Sequence, residues 1–258
     1  MIISIPLLFL LTTTLHPTTS AALLPSSNRD TTTTPRRLLA NVSVIDTPIV
    51  RAAQAFARAH SSAYLYNHVM RAWLFGALHL SHNATLAAAV DEEVHAVGLM
   101  LHDLGANHSV DSPFFTVDRR FEVDGAYAAR GFIQSHPDGR RWAEKRVQLV
   151  WDGIALHAEA KFALHKELDV VAIYLGNDLD FGGPRLGITE EEYGAVLAEF
   201  PRLENQTEMV LEGISWYCRH KPLSTYDTFM QPYGEMFVPG YSAVGHRGID
   251  RVLARGSY

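Results

Sequence analysis

The chain has 258 residues, 47% of them hydrophobic and 19% charged, enough apolar surface for one large domain or two small ones. A formal net charge of -6 argues against a nucleic-acid partner, because neutralising phosphates needs clustered Lys and Arg. The single cysteine, Cys218, excludes an intrachain disulfide framework and a cysteine-cluster zinc site, whereas 13 His supply the side chain most often used to ligate metals.

Ile2 to Leu15 is apolar and Thr-rich, too short to span a bilayer, and small residues follow from Thr18 to Ala22. Residues 1–22 therefore read as a secretory signal peptide, cleaved between Ser20 and Leu23. Four N-x-S/T sequons, at Asn41, Asn83, Asn107 and Asn205, fit a glycoprotein that is secreted or held in the secretory lumen. No stable membrane association is expected once the signal is removed. Residues 23–45 contain Thr31-Thr32-Thr33-Thr34-Pro35-Arg36-Arg37 and read as a low-complexity linker. The folded domain is expected over 46–258.

From Pro48 the pattern is helical nearly throughout, and the expected fold class is all-α. Thr47 is placed to cap a first helix that has Pro48 at its first position and runs to about His60. Ser62 to Leu80 reads as a second, with Leu65, Val69, Trp73 and Leu78 at helical intervals and Tyr64, His68 and Arg71 on one face. Leu86 to Leu104 reads as a third. Arg119 to about Gln134 is a fourth, in which Gly125 costs roughly 1 kcal/mol against Ala and so suggests close packing. Arg140 to Leu156 is a fifth, ending at His157, and Leu168 to about Leu179 a sixth. Thr189-x-x-Glu192 is a capping box that opens a seventh, stopping at Pro201. Glu204 to Cys218 is an eighth. Beyond Lys221-Pro222 an aromatic, Pro- and Gly-rich coil is expected as far as Gly245, then a short helix over Ile249 to Arg255. No repeat, phosphate-binding glycine motif or strand ladder is apparent.

The third helix ends in Leu101-His102-Asp103-Leu104-Gly105. Neighbouring helical residues point about 100° apart, so His102 and Asp103 converge only on an atom beyond the helix end. A divalent metal, which takes neutral imidazole nitrogen and carboxylate oxygen together, is such an atom. The plainer reading is a helix C-terminus with Gly105 as a left-handed cap. His68 in mid-helix and Asp180 at another helix end are further candidates, since buried polar groups need partners.

Histidine, then His-Asp, then Asp on separate helices resembles the HD-domain metal hydrolase superfamily, and the chain is most similar to its cyanamide hydratase branch. The carriers are Asn67-His68-x-x-Arg71, Leu101-His102-Asp103-Leu104-Gly105, Arg120-Phe121-Glu122-Val123-Asp124-Gly125-Ala126, Trp151-Asp152-x-Ile154-Ala155-Leu156-His157, Gly176-x-x-x-Asp180, Phe200-Pro201-Arg202 and Lys221-Pro222-x-x-Thr225-Tyr226. The resemblance implies an HD-type helical bundle around one divalent metal, Zn2+ first and Fe2+ second, held by His68, His102, Asp103 and Asp180. Two-metal members place a His where this chain has Phe121, which points to one metal. Glu122, Asp124 and His157 are implied as pocket residues. A metal lowers the pKa of its water toward neutrality, so hydroxide becomes available to attack a compact electrophile. In a cyanamide hydratase, a hydro-lyase, that is a nitrile carbon, and Glu122 or Asp124 would carry the proton to nitrogen.

Each residue also has an ordinary reading. A lone His68 or Asp180 is more often structural, acids near a helix N-terminus such as Glu122 and Asp124 suit the dipole, and His157 could be a C-terminal His. His79, His82, His95, His108 and His165 read as solvated or core residues without a role. Tyr226, Phe229, Tyr233 and Phe237 read as a covering loop placed to act as a lid. The competing function is an HD-type phosphohydrolase of nucleotides or phosphomonoesters. It calls for cations on the phosphate, for which Arg71 and Lys161 are the candidates, and no basic cluster surrounds the motifs. A non-catalytic secreted protein would more readily have lost a ligand. The expected partner is a small-molecule substrate, with a homo-oligomer compatible with the sequence.

Overall fold

The computed structural model describes residues 34–203 and 205–255. The signal peptide and the first part of the expected linker lie outside the described residues. The chain opens with an antiparallel hairpin, β1 (Arg36–Leu39) and β2 (Val42–Ile45). Helices follow: α1 (Pro48–His60), α2 (Ala63–His82), α3 (Ala84–Ala89), α4 (Glu92–Leu101), α5 (Phe121–Ser135), α6 (Glu144–Ala155), α7 (Ala160–Ala163), α8 (Leu168–Gly182), α9 (Glu190–Glu199), α10 (Gln206–His220), α11 (Gln231–Phe237) and α12 (Gly248–Arg255). Short 3-10 turns stand at Leu104–Ala106, Gly139–Arg141 and Pro222–Ser224. The architecture is an all-α bundle with one small hairpin on its flank.

The bundle is built around α2. Ser62 caps it, accepting from Leu65 N, and every residue from His68 to Gly76 is buried. A helix apolar on all sides belongs at a centre, surrounded by others. Accordingly α4 and α8 pack on α2, α6 packs on α4 and α8, and α5 packs on α6. Gly176 allows α8 to approach. A Cβ there would stand 2.9 Å from Ala72 O on α2 and 2.6 Å from Leu99 Cδ1 on α4. That close crossing lays the last turn of α8, which carries Asp180, against the His68 and Arg71 face of α2. A second apolar cluster (Leu65, Ala106, Phe121, Tyr217, Cys218 and Met230) joins α10 and the segment after it to this end of the bundle.

Three expectations need correction. The expected linker contains the hairpin, whose Val42, Val44 and Ile45 are buried in the main core. Its two-residue turn puts Ala40 at φ 48° and Asn41 at φ 62°, the positive angles a tight hairpin turn demands and Asn tolerates. The expected third helix is two, because Asp91 breaks it. The Asp91 side chain accepts from Glu93 N and Val94 N to start α4, and Arg146 holds the same carboxylate at 2.7 and 2.9 Å. The expected coil after Pro222 contains α11. No helix among the described residues is long and apolar enough to cross a membrane.

Candidate metal centre

His102 is the C-cap of α4, still at φ -62°, ψ -31°, and Asp103 follows at φ -102°, ψ 19°. That half-turn out of the helix lets two successive side chains face one point. The turn after them is pressed against α5 by two glycines. A Cβ on Gly105 would lie 2.0 Å from Phe121 O, and one on Gly125 would lie 3.0 Å from His102 O. Gly105 is therefore required for backbone contact. It is not the left-handed cap expected, since its φ is not positive. The close-packing reason expected for Gly125 is the one observed.

His68, His102 and Asp103 form a buried group that could hold a metal ion. His68 Nε2 is 3.1 Å from His102 Nε2 and 3.5 Å from Asp103 Oδ2, and His102 Nε2 is 3.6 Å from the same oxygen. The proton positions follow from the partners on the far side of each ring. His102 Nδ1 lies 2.7 Å from Leu99 O, and His68 Nδ1 lies 2.7 Å from Asp180 Oδ2. Both partners only accept, so each Nδ1 carries a hydrogen, and the Nε2 of a neutral ring presents a lone pair. Burial pushes the His102 pKa down to about 3, which keeps that ring neutral. Burial alone would raise Asp103, but His102, His68 and His157 hold its carboxyl below the usual range. Two ring nitrogens and a carboxylate oxygen thus face one another. Ligand atoms around a tetrahedral ion with bonds of about 2.05 Å stand about 3.3 Å apart, so the spacing and the donor set fit a divalent metal.

Asp180 is not in that group. It is fully buried behind His68, and Arg71 reaches it with Nε at 2.7 Å to Oδ1 and Nη2 at 2.8 Å to Oδ2. Arg202 Nη2 also donates to Oδ1, at 2.9 Å, and to the Asp180 carbonyl. Burial raises its pKa, but the hydrogen bonds from His68 and Arg71 outweigh it and the group stays ionised. Its visible action is on His68, fixing the tautomer and the ring plane.

The cavity in front of the group measures about 480 Å3. His68, Asp103 and His157 form one end of it, beside Asn177. His157 Nδ1 donates to Ile154 O at 2.7 Å, and its Nε2 stands 3.6 Å from Asp103 Oδ1. Glu122 and Asp124 do not line this cavity, contrary to expectation. Glu122 is fully buried and paired with Arg120. Asp124 accepts from Lys221 Nζ at 2.8 Å, Thr116 Oγ1 at 2.8 Å, Thr116 N at 3.2 Å and Arg119 Nε at 3.1 Å. Both carboxylates are thus turned to these partners and not to the cavity.

His108, set aside in the sequence reading, lines the cavity at 5.8 Å from the Trp216 ring. His82 and His165 are on the surface, whereas His79 and His95 are buried away from the cavity. Of the expected covering aromatics, Phe229 and Tyr233 line the cavity. Tyr226 instead stacks on His246 at 4.7 Å, and Phe237 is exposed. Burial keeps the Tyr64 and Tyr217 phenols protonated, raising Tyr64 to about 12 and Tyr217 well above its usual value. The chain matches no protein-family model, and no curated protein matches its sequence.

Proposed function

We propose that this chain is a metal-dependent hydratase that adds water to a nitrile-type carbon, with one zinc or iron(II) ion held by His68, His102 and Asp103 and backed by Asp180. The carrying observation is the convergence of His68 Nε2, His102 Nε2 and Asp103 Oδ2 at 3.1 to 3.6 Å from one another. Mutual repulsion would spread such a set unless a cation joined it. The resemblance to HD-domain enzymes supports the reading. When bound, the ion supplies the Lewis acidity that makes water nucleophilic near neutral pH.

In water addition the oxygen bonds to carbon, the carbon–nitrogen triple bond opens, and both protons end on nitrogen to give an amide. Nothing is oxidised. In the neutral ring with its hydrogen on Nδ1, His157 Nε2 is placed to take a proton from water and return it to nitrogen. Asn177 steadies that residue through its Nδ2, which donates to His157 O at 3.2 Å. Asp103 keeps both imidazoles facing the same point. No Arg or Lys lines the cavity, so a phosphate would meet no cation of the protein.

Metal analysis of purified protein, with parallel assays on cyanamide and a panel of nucleoside monophosphates, tests the reading. About one metal per chain and formation of urea from cyanamide, or of an amide from a larger nitrile, are expected. Release of phosphate without hydration would overturn it.

A further inference from the structure

The cavity is far larger than the reaction needs. Cyanamide occupies on the order of two water volumes, roughly 60 Å3, against a cavity of about 480 Å3. Cavities of this size hold drug-sized molecules. The two ends also differ. Around the metal group every committed proton points away, leaving His157 Nε2 and the Asp103 carboxylate as acceptors. Asn177 Oδ1 is buried beside them without a partner, a cost unless something donates to it. Much of the lining is apolar, with Leu65 from α2, Phe121 from α5, Met209, Val210 and Ile214 from α10, and Phe229, and His108 and four tyrosines complete it along with the residues of the metal end.

The nearby cations are spent elsewhere. Arg120 is bound to Glu122 and Glu159, Lys221 to Asp124, and Arg71 to Asp180. In the metal-free cavity an anionic substrate would bury its charge against carboxylate, amide oxygen and hydrocarbon, which is costly. Asp178, also on the wall, is neutralised by Arg185.

We infer that the cavity takes an uncharged molecule with an aromatic or branched aliphatic body, which lies against α10 while its compact nitrile or amide end reaches His157 and Asn177. The reactive end of this assignment rests on the hydratase reading; the apolar body rests on the wall alone. An amide product has the N–H that Asn177 Oδ1 lacks. A body of phenyl size or more displaces water from the far wall, and cyanamide does not.

The test uses the full chain, metal-free and zinc-loaded, and calorimetric titration with phenylacetonitrile, cyanamide and phenyl phosphate. Phenylacetonitrile should bind at least tenfold more tightly than the other two in both forms, with a negative heat-capacity change from apolar burial. Val210→Trp and, separately, Ile214→Trp should each weaken phenylacetonitrile at least tenfold with the helical circular dichroism and zinc content retained. Equal binding of cyanamide and phenylacetonitrile, or tighter binding of phenyl phosphate, would overturn the assignment. If phenylacetonitrile binds but the zinc-loaded protein hydrates no nitrile, the hydratase reading fails and the apolar body stands. If cyanamide is hydrated while phenylacetonitrile does not bind, the assignment fails and the hydratase reading stands.

Discussion

Asp180 Oδ2 accepts a 2.7 Å hydrogen bond from His68 Nδ1 while Arg71 closes on the same carboxylate through Nε and Nη2. The three residues come from α2 and α8, and all are buried. His68 is therefore aimed by a partner on another helix, which leaves its Nε2 facing His102 and Asp103.

Asp180→Ala should lower metal affinity at least tenfold, the scale seen when the partner of a metal-bound imidazole is removed. It should also destabilise the fold, since Arg71 is left buried without its counter-charge, by about 3–5 kcal/mol. Metal retention against graded chelator reads the first effect and urea unfolding the second. Full metal affinity in the variant would show that His68 is held by packing alone.

The Asp124–Lys221 pair is a structural device. Both side chains are buried and the contact is 2.8 Å. Asp124→Asn should cost about 3–5 kcal/mol by stranding the ammonium. The joint change Asp124→Leu with Lys221→Met should recover most of that, because both charges then leave together. Urea denaturation of the two variants decides it. A joint variant as unstable as the single one would mean that the Thr116 and Arg119 contacts carry the stabilisation.

Much of the helical order was legible because apolar residues recur at helical spacing from Pro48 onward. The capping box at Thr189 and Glu192 forms as read. What escaped was decided by long-range contacts. Asp91 breaks a helical run because Arg146 and Asp169, more than fifty residues away in sequence, hold it. The hairpin escaped because each strand has only four residues and its turn residue Asn41 also fits a glycosylation sequon. At the site, adjacent His102 and Asp103 were readable as a pair that needs a common atom. The acids of the Phe121 to Ala126 stretch were not assignable by spacing, because α5 turns Glu122 to Arg120 and Asp124 to Lys221. His108 carried no signal beyond its residue type, and only the packing of α10 brings it to the cavity.

Gly105→Ala should disturb the centre without touching a ligand. Its added Cβ would meet Phe121 O at 2.0 Å, a backbone atom that cannot rotate aside. The Leu104–Ala106 turn must then lift from α5 and take Asp103 with it. A loss of about 1–3 kcal/mol in stability is expected for such overpacking, with weaker metal retention. An unchanged metal affinity would show that Asp103 is positioned independently of that turn.

Acid should destabilise the protein through His95. The ring is buried, its Nε2 has no hydrogen-bond partner, and burial, aided by His79, lowers its pKa to about 3. In the unfolded chain the same group titrates near 6.5. As pH falls below about 6.5 the unfolded state takes up a proton that the folded state refuses, so stability falls and goes on falling to about pH 3. At pH 4.5 the difference is about 2–3 kcal/mol relative to pH 7. His95→Leu should lose that much less between pH 7 and 4.5 in urea unfolding, all other groups being common to both proteins. Parallel pH profiles would place the acid sensitivity elsewhere.

On the hydratase reading, His157 is the residue placed to carry the proton. Its Nδ1 hydrogen is fixed on Ile154 O at 2.7 Å, so Nε2 can only accept until it is protonated. It faces Asp103 Oδ1 at 3.6 Å, too far for a hydrogen bond but next to the point where the other lone pairs meet. Phe121 lies across its ring at 5.7 Å and Asn177 holds its carbonyl, so the imidazole has little freedom to turn. His157→Phe keeps the planar ring and the volume but cannot take a proton. The variant should retain metal, because His68, His102 and Asp103 are untouched, and its turnover on a hydrated nitrile should drop by roughly 10²- to 10⁴-fold, the range for removing a general acid–base group. Metal content and kcat are measured on the same preparation. Loss of metal would make His157 a ligand. Retained metal with the original kcat would leave solvent or His108 to move the proton, and His108→Phe would separate the two, slowing turnover only if His108 carries it.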